Sequence, residues 1–236
     1  MELSPDSTIF WQWGAIRLNA TIVFTWVVMA LLAVGSWLVT RRLSSDGKLS
    51  RRQNLLETLV TFMNEQIRST SRQEPGRFLP FVGTLFLYIA VSNSLEIIPG
   101  FHPPTGSLST TAALAICVFI AVPFYGVLQK GVVGYLKRYV KPSIFMMPFE
   151  VIGEFSRTLA LAVRLYGNIM SGTIIVGILL SIAPLFFPIV MQALGLLIGL
   201  IQAYIFAVLA MVYIASATSV RIKADEEHEK AGKGGT

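Results

Sequence analysis

Residues 148–182 read PFEVIGEFSRTLALAVRLYGNIMSGTIIVGILLSI, and this stretch is long and apolar enough to cross a membrane as a single helix. Six residues follow one another at steps of three or four, so they share one face of a helix with 3.6 residues per turn. They are Glu150, Glu154, Arg157, Leu161, Arg164 and Asn168. An arginine within such a helix costs from about 2.5 to over 10 kcal/mol. Arg164 therefore predicts a functional site on this face.

The composition of the whole chain is typical of a membrane protein. Of its 236 residues, 54% are hydrophobic and 14% are charged, which is more apolar surface than a soluble domain of this size could bury. The formal net charge is +6, but most basic residues lie in three short segments between hydrophobic stretches, where they indicate orientation in the membrane rather than nucleic-acid binding. We therefore predict an all-α polytopic protein whose surroundings are the lipid bilayer.

The first 77 residues predict an outer N-terminus, one crossing and a cytoplasmic loop. Residues 1–17 carry acids and lack the basic region of a secretory signal, so we expect no cleaved leader. Residues 18–40 form the first predicted span, which ends at two arginines. Residues 41–77 contain eight Lys and Arg against four acids, and this excess predicts a cytoplasmic loop.

Within this cytoplasmic loop, an apolar stripe at helical spacing lies opposite charged and amide side chains. The stripe consists of Leu55, Leu56, Leu59, Val60, Met63 and Ile67. Such a pattern predicts an interfacial amphipathic helix on the membrane surface. The alternative is a short soluble helix packed against a partner subunit.

The remainder of the chain predicts four further crossings, with the C-terminus inside. Pro123 should kink the third span. The predicted segments are span 2 (78–98), an outer loop (99–109), span 3 (110–136), a cytoplasmic loop (137–142), span 4 (143–182), an outer turn (183–188), span 5 (189–220) and a cytoplasmic tail (221–236). Spans 4 and 5 should form a long antiparallel hairpin.

The last span carries amides and small residues at helical spacing, namely Gln192, Gly195, Gly199, Gln202, Phe206 and Tyr213. Small residues allow a neighbouring backbone to approach closely. Ordinary packing between helices would explain Gln192 equally well. Because the two long helices should be antiparallel, we expect Gln202 near the depth of Arg164.

These motifs resemble subunit a of the rotary F-type ATP synthase. The resemblance rests on LALAVRLYGN (159–168), IQAYIFAVLAMVYI (201–214), VSNSLEIIPG (91–100) and STTAALAI (109–116). It covers the chain from about residue 78 to residue 219.

The resemblance implies a non-catalytic stator that offers two offset aqueous half-channels to a rotating ring of subunit c. It also implies peripheral-stalk subunit b as a partner, and we expect no cofactor. The short polar tail and the lack of a transit sequence favour the inner (plasma) membrane of a bacterium over the membrane of an organelle. The essential arginine of the family falls on Arg164, its asparagine on Asn168, its last-helix glutamine on Gln202, and its acidic positions on Glu150 and Glu96.

The chemistry of arginine assigns Arg164 a task. A guanidinium is not deprotonated in a protein, so Arg164 should act as a barrier between the half-channels and should attract an ionised carboxylate of the ring. Glu150, about 21 Å of helix earlier, would belong to the cytoplasmic half-channel with Glu154. Glu96 and His102 would lie at the outer mouth.

Simpler explanations remain for several of these residues. Glu154 and Arg157 are close enough in sequence to pair along the helix. His102 would be an ordinary solvated loop residue, and Asn168 would make a plain hydrogen bond between helices.

Two positions depart from the family pattern. Many members carry a titratable Glu or His nine residues after the arginine and seven residues before the glutamine, where this chain has Thr173 and Gly195. The outer half-channel would then depend on water, hydroxyls such as that of Thr173, the amide of Gln192, and Glu96. A sodium-translocating complex is the alternative, because a cation needs oxygen ligands rather than a proton relay.

Two other classes of protein fit the sequence less well. A small secondary transporter would normally show paired halves and broken helices, and a purely structural membrane subunit would have no use for Arg164. The sequence contains no phosphate-binding loop and no Cys/His cluster. We therefore expect ATP turnover to take place in partner subunits.

Overall fold

The computed structural model describes residues 9–13, 16–41, 51–71, 74–98, 100–140, 147–182 and 187–218. Five helices in these ranges are long and apolar enough to cross a membrane. The predicted fold class, an all-α polytopic membrane protein, is confirmed. The sequence did not predict a short antiparallel hairpin, β1 (Ile9–Trp13) and β2 (Ile16–Asn19), which precedes the first helix.

The helices follow one another along the chain with short 3₁₀ turns after the second and third. They are α1 (Ala20–Thr40), α2 (Arg51–Ser71), α3 (Leu79–Ser94), α4 (Leu108–Val140), α5 (Met147–Ile182) and α6 (Phe187–Thr218). Helix α4 continues through residues 137–140, the first part of the segment predicted as a cytoplasmic loop (137–142). The predicted tail (221–236) and most of the predicted outer turn (183–186) lie outside the described residues.

Helix α6 lies at the centre of the packing, in contact with α2, α3, α4 and α5. Its contacting faces carry small buried side chains such as Ala203, Ala207 and Ala210, each at most 1% exposed. Small residues let helices approach closely in a membrane, where packing and hydrogen bonds stabilise association. Helix α5 contacts α4 and α6 and leaves a broad face free.

The amphipathic helix α2 packs against the rest of the chain through part of its predicted stripe. Met63 and Ile67 are 3% and 1% exposed, and α2 contacts both α3 and α6. Gln66 also accepts a hydrogen bond from the hydroxyl of Tyr204 at 2.7 Å. These contacts hold α2 to this chain, and its position on the membrane surface stays a prediction.

Helix α4 breaks at Gly131, a position that the sequence pattern did not indicate, and the kink at Pro123 stays a prediction. Gly131 has φ 72° and ψ 164°, angles that are essentially open only to glycine, whereas Pro123 lies within helical backbone. After the break the ring of Tyr135 lies 2.6 Å from where a Cβ of Gly126 would be. In a straight helix, Gly126 and Tyr135 are nine residues and hence about 13 Å apart along the axis. Their contact therefore means that the chain turns sharply between them.

One buried hydrogen bond ties α3 to α6. The side-chain Nδ2 of Asn93, which is 1% exposed, donates to the carbonyl oxygen of Gly199 at 2.9 Å. A Cβ at Gly199 would lie 2.9 Å from the Cβ of Asn93, closer than real contacts allow. The two helices therefore meet at a distance that only glycine permits. Gly195, one turn away in α6, would place its Cβ in open space.

These two glycines give a matched pair of substitutions for a test of the α3–α6 contact. We expect Gly199→Ala to lower the melting temperature of the detergent-solubilised complex, because overpacking typically costs about 1–3 kcal/mol. Gly195→Ala should leave it unchanged or raise it, because alanine favours helix by about 1 kcal/mol over glycine. Equal melting temperatures for the two variants would contradict the close approach at Gly199.

Candidate functional site

Arg164 points away from the body of the chain. Its neighbours Leu161 and Leu165 are 1% and 0% exposed, whereas the side chain of Arg164 is exposed. Leu161 and Arg164 lie about 60° apart on the predicted face of α5, and the edge of the packed region runs between them. Within the ranges described, no residue forms an ion pair with Arg164.

The free face around Arg164 is lined by small side chains. Three small residues are exposed together with Arg164, and each member of this series of four lies three or four residues from the next. The small residues are Ala160, Gly167 and Ser171. Small residues at this spacing leave room for another helix to approach the backbone closely. The fixed positive charge is therefore presented on a shallow surface.

A cavity of about 180 Å³ lies between the ends of α3, α5 and α6, and we call it the Glu96 cavity. Glu96 supplies the single carboxylate among its described lining residues. Of the other predicted site residues, Asn168, Thr173 and Gln192 line it, as does Gly195. The polar side chains of Asn93 and Ser171, which were not among the predicted site residues, also line the cavity. The lining is therefore rich in neutral oxygen and amide groups and has one titratable side chain.

The departures from the family pattern lie in this cavity. The hydroxyl of Thr173 donates to the carbonyl oxygen of Ile169 in its own helix at 3.0 Å. No heavy atom lies within 4 Å of the Cβ that a side chain at Gly195 or Gly172 would add. Open space, rather than a titratable side chain, therefore occupies this part of the cavity.

A second, narrower cavity of about 20 Å³ lies between α4, α5 and α6, and we call it the Glu150 cavity. Both predicted glutamates, Glu150 and Glu154, line it together with Arg157 of the same helix. Helix α6 contributes Tyr213 and Ser216. This cavity is more strongly charged than the Glu96 cavity.

Arg164 and Gln202 lie between the two cavities on their respective helices. On α5, residues 150–158 line the Glu150 cavity and residues 168–176 line the Glu96 cavity, so Arg164 falls in the interval. On α6, residues 191–198 and 213–216 bracket Gln202 in the same way. Gln202 is 6% exposed, and its Nε2 has no hydrogen-bond partner among the described residues.

The outer loop contains an exposed candidate residue and a buried 3₁₀ turn. His102 is exposed, lies against the ring of Phe24 with 6.5 Å between centroids, and is not among the residues lining the Glu96 cavity. Residues 103–107, within the outer loop predicted at 99–109, are buried, and the 3₁₀ turn Pro104–Gly106 contacts α1, α3, α4 and α5.

Comparison with known proteins finds close relatives over nearly the whole chain. The family model described as ATP synthase A chain matches residues 22–215. The chain is 64% identical over 220 residues to ATP synthase subunit a 2 of Acaryochloris marina, a match that covers 93% of this chain and 94% of that protein. It is 60% identical over 230 residues to ATP synthase subunit a of Albidiferax ferrireducens, covering 98% and 100%. It is 57% identical over 223 residues to ATP synthase subunit a 1 of Chlorobaculum parvum, covering 94% and 99%.

These matches confirm the resemblance that the motifs around Arg164 and Gln202 indicated. They agree with the five apolar helices of membrane-crossing length, which make the chain a multi-pass membrane protein. The chain belongs to the ATP synthase A chain family, the stator subunit a of the F-type ATP synthase complex.

Proposed function

We propose that this subunit forms two half-channels that pass protons to and from a rotating ring of subunit c. The Glu96 cavity would be the outer half-channel and the Glu150 cavity the cytoplasmic one. The observation that carries the proposal is the order along two helices: each cavity lies on one side of Arg164 in α5 and on one side of Gln202 in α6.

Arg164 would separate the half-channels because it cannot pass a proton along. Its guanidinium remains protonated in a protein, so a proton in one cavity has no route through it to the other. The same charge favours the ionised form of a carboxylate on a neighbouring ring subunit. A ring carboxylate that passes Arg164 would release its proton into one cavity and take up a proton from the other.

The free face of α5 supports the ring as the partner. Ala160, Gly167 and Ser171 leave a shallow surface on either side of the charge, which suits close approach by a smooth helix. The subunit itself would be non-catalytic, with ATP turnover in partner subunits and peripheral-stalk subunit b as a further partner. We place the complex in the inner (plasma) membrane of a bacterium.

A barrier role for Arg164 predicts that Arg164→Ala abolishes ATP-driven ion transport while the complex still assembles. Transport is measured in inverted membrane vesicles, and assembly is measured by co-purification of the other subunits. Leu159→Ala is the matched control, since Leu159 is 54% exposed and lies about 140° around the same helix. The control should transport normally, and retained coupled transport in Arg164→Ala would exclude the proposed function.

Sodium is a second candidate for the transported ion, and the lining of the Glu96 cavity favours it. Amides, hydroxyls and one carboxylate surround open space at Gly172 and Gly195. Oxygen ligands suit a hydrated monovalent cation as well as they suit water that relays protons.

The two ions are distinguished by following radioactive sodium and lumenal pH together in vesicles that hold the whole complex. The proton pathway predicts acidification on addition of ATP, its collapse with a protonophore, and no sodium uptake. Sodium uptake that persists or rises with the protonophore would instead assign the Glu96 cavity to sodium.

A further inference from the structure

Asn93 lines the Glu96 cavity, and its side chain is held by hydrogen bonds on both sides. Its Nδ2 donates to the carbonyl oxygen of Gly199 in α6, and its Oδ1 accepts from the hydroxyl of Thr105 at 2.7 Å. A carbonyl oxygen can only accept a hydrogen bond, so the nitrogen must face Gly199 and the amide orientation is fixed. We call these three residues the Asn93 clamp.

The Asn93 clamp joins three separate parts of the fold. Asn93 and Gly199 are 106 positions apart in sequence, and Thr105 lies in the buried 3₁₀ turn that contacts α5. Thr105 is 0% exposed and Asn93 is 1% exposed, so water does not compete for these bonds. A broken bond would leave a buried polar group unsatisfied, which makes the arrangement costly to lose.

The clamp limits movement in both directions. The two hydrogen bonds hold α3 against α6 and the turn, while the contact between Asn93 and the Gly199 backbone prevents closer approach. The clamp therefore fixes the separation of α3 and α6 at this point, as close packing does in other protein interiors.

Glu96 follows Asn93 by three residues: Asn93 lies in the last turn of α3, and Glu96 lies in the 3₁₀ turn Leu95–Ile97 that continues it. Both residues line the Glu96 cavity. Among the residues that the structure describes, none makes a hydrogen bond or ion pair with the Glu96 carboxylate. The position of this carboxylate is therefore determined by the end of α3, and the clamp fixes that end.

We propose that the Asn93 clamp is a positioning device that holds Glu96 at the wall of the outer half-channel. This inference rests on the proposed function, because it assigns Glu96 a part in ion transfer. Asn93 itself is not an ion-binding group in this proposal, since its amide oxygen and nitrogen are both engaged by protein atoms. Gly199 is required because any side chain there would displace Asn93.

The test measures ATP-driven transport at a series of pH values in inverted vesicles that contain the whole complex. Asn93→Ala removes both bonds of the clamp, and Thr105→Val removes one bond with little change of shape. Misplacement by about 1 Å can slow a reaction by about 100-fold, so we expect slower transport in both variants. We also expect both to displace the pH profile in the same direction, because Glu96 is the one titratable group among the described lining residues of the cavity.

Ser92→Ala is the matched control, because Ser92 is the neighbouring residue, is 0% exposed and makes neither bond of the clamp. Its pH profile should equal that of the unmodified complex. In a Glu96→Gln background, Asn93→Ala should cause no further displacement of the profile, since residues that act through one another are not additive. If the complex with Asn93→Ala does not assemble, the same comparison is made with Thr105→Val.

A second readout does not depend on transport. In a Cys117→Ser background, Glu96→Cys allows labelling of the position-96 thiol by a membrane-impermeant reagent. Adding Asn93→Ala should change the labelling rate, whereas adding Ser92→Ala should not.

The clamp proposal is overturned if Asn93→Ala leaves both the pH profile and the labelling rate unchanged, or if it displaces the profile equally with and without Glu96→Gln. In either case, loss of transport in Arg164→Ala would leave the proposed function intact. Retained transport in Arg164→Ala would instead remove the proposed function, whatever the clamp variants show.

Discussion

The permanent charge of Arg164 is the constraint on which the rest of the structure depends. A guanidinium keeps its proton, so the cost of placing it within a membrane-length helix is not avoided by deprotonation. Leu161 and Leu165 turn into the chain and leave Arg164 on the free face of α5. Under the proposed function, water and a carboxylate of the ring would offset this charge, and the remaining helices would hold the free face in place.

Helix α6 provides the rigidity that this arrangement needs. Burial from water contributes little between helices in a bilayer, so close contact and hydrogen bonds must stabilise them. Buried alanines along α6 permit the contact, and Gly199 permits the closest approach, to Asn93. Gln66 and Asn93 attach α2 and α3 to the same helix through hydrogen bonds to Tyr204 and Gly199. Both cavities thus have α6 as a common wall.

Length and hydropathy were sufficient to predict the five long helices, and the cost of a buried charge was sufficient to single out Arg164. A kink in α4 was predicted at Pro123 because proline is a local signal, whereas the break at Gly131 accompanies the return of Tyr135 against Gly126, a contact that local sequence does not indicate. The role of Asn93 was missed because its partners are 12 and 106 residues away. Spacing along one helix identifies a shared face, but not which edge of that face the neighbouring helices cover.

Under the proposed function, one explanation covers both the small residues at positions 173 and 195 and the clamp at Asn93. With no side chain at Gly195, the Glu96 cavity has room for several water molecules, and these would carry the ion where other family members have titratable groups. Glu96 is then the one titratable group among the described residues that line this cavity. A relay with one such group depends on where that group is held. Under the clamp proposal, the two hydrogen bonds of Asn93, one helical turn away, would hold Glu96 in that position.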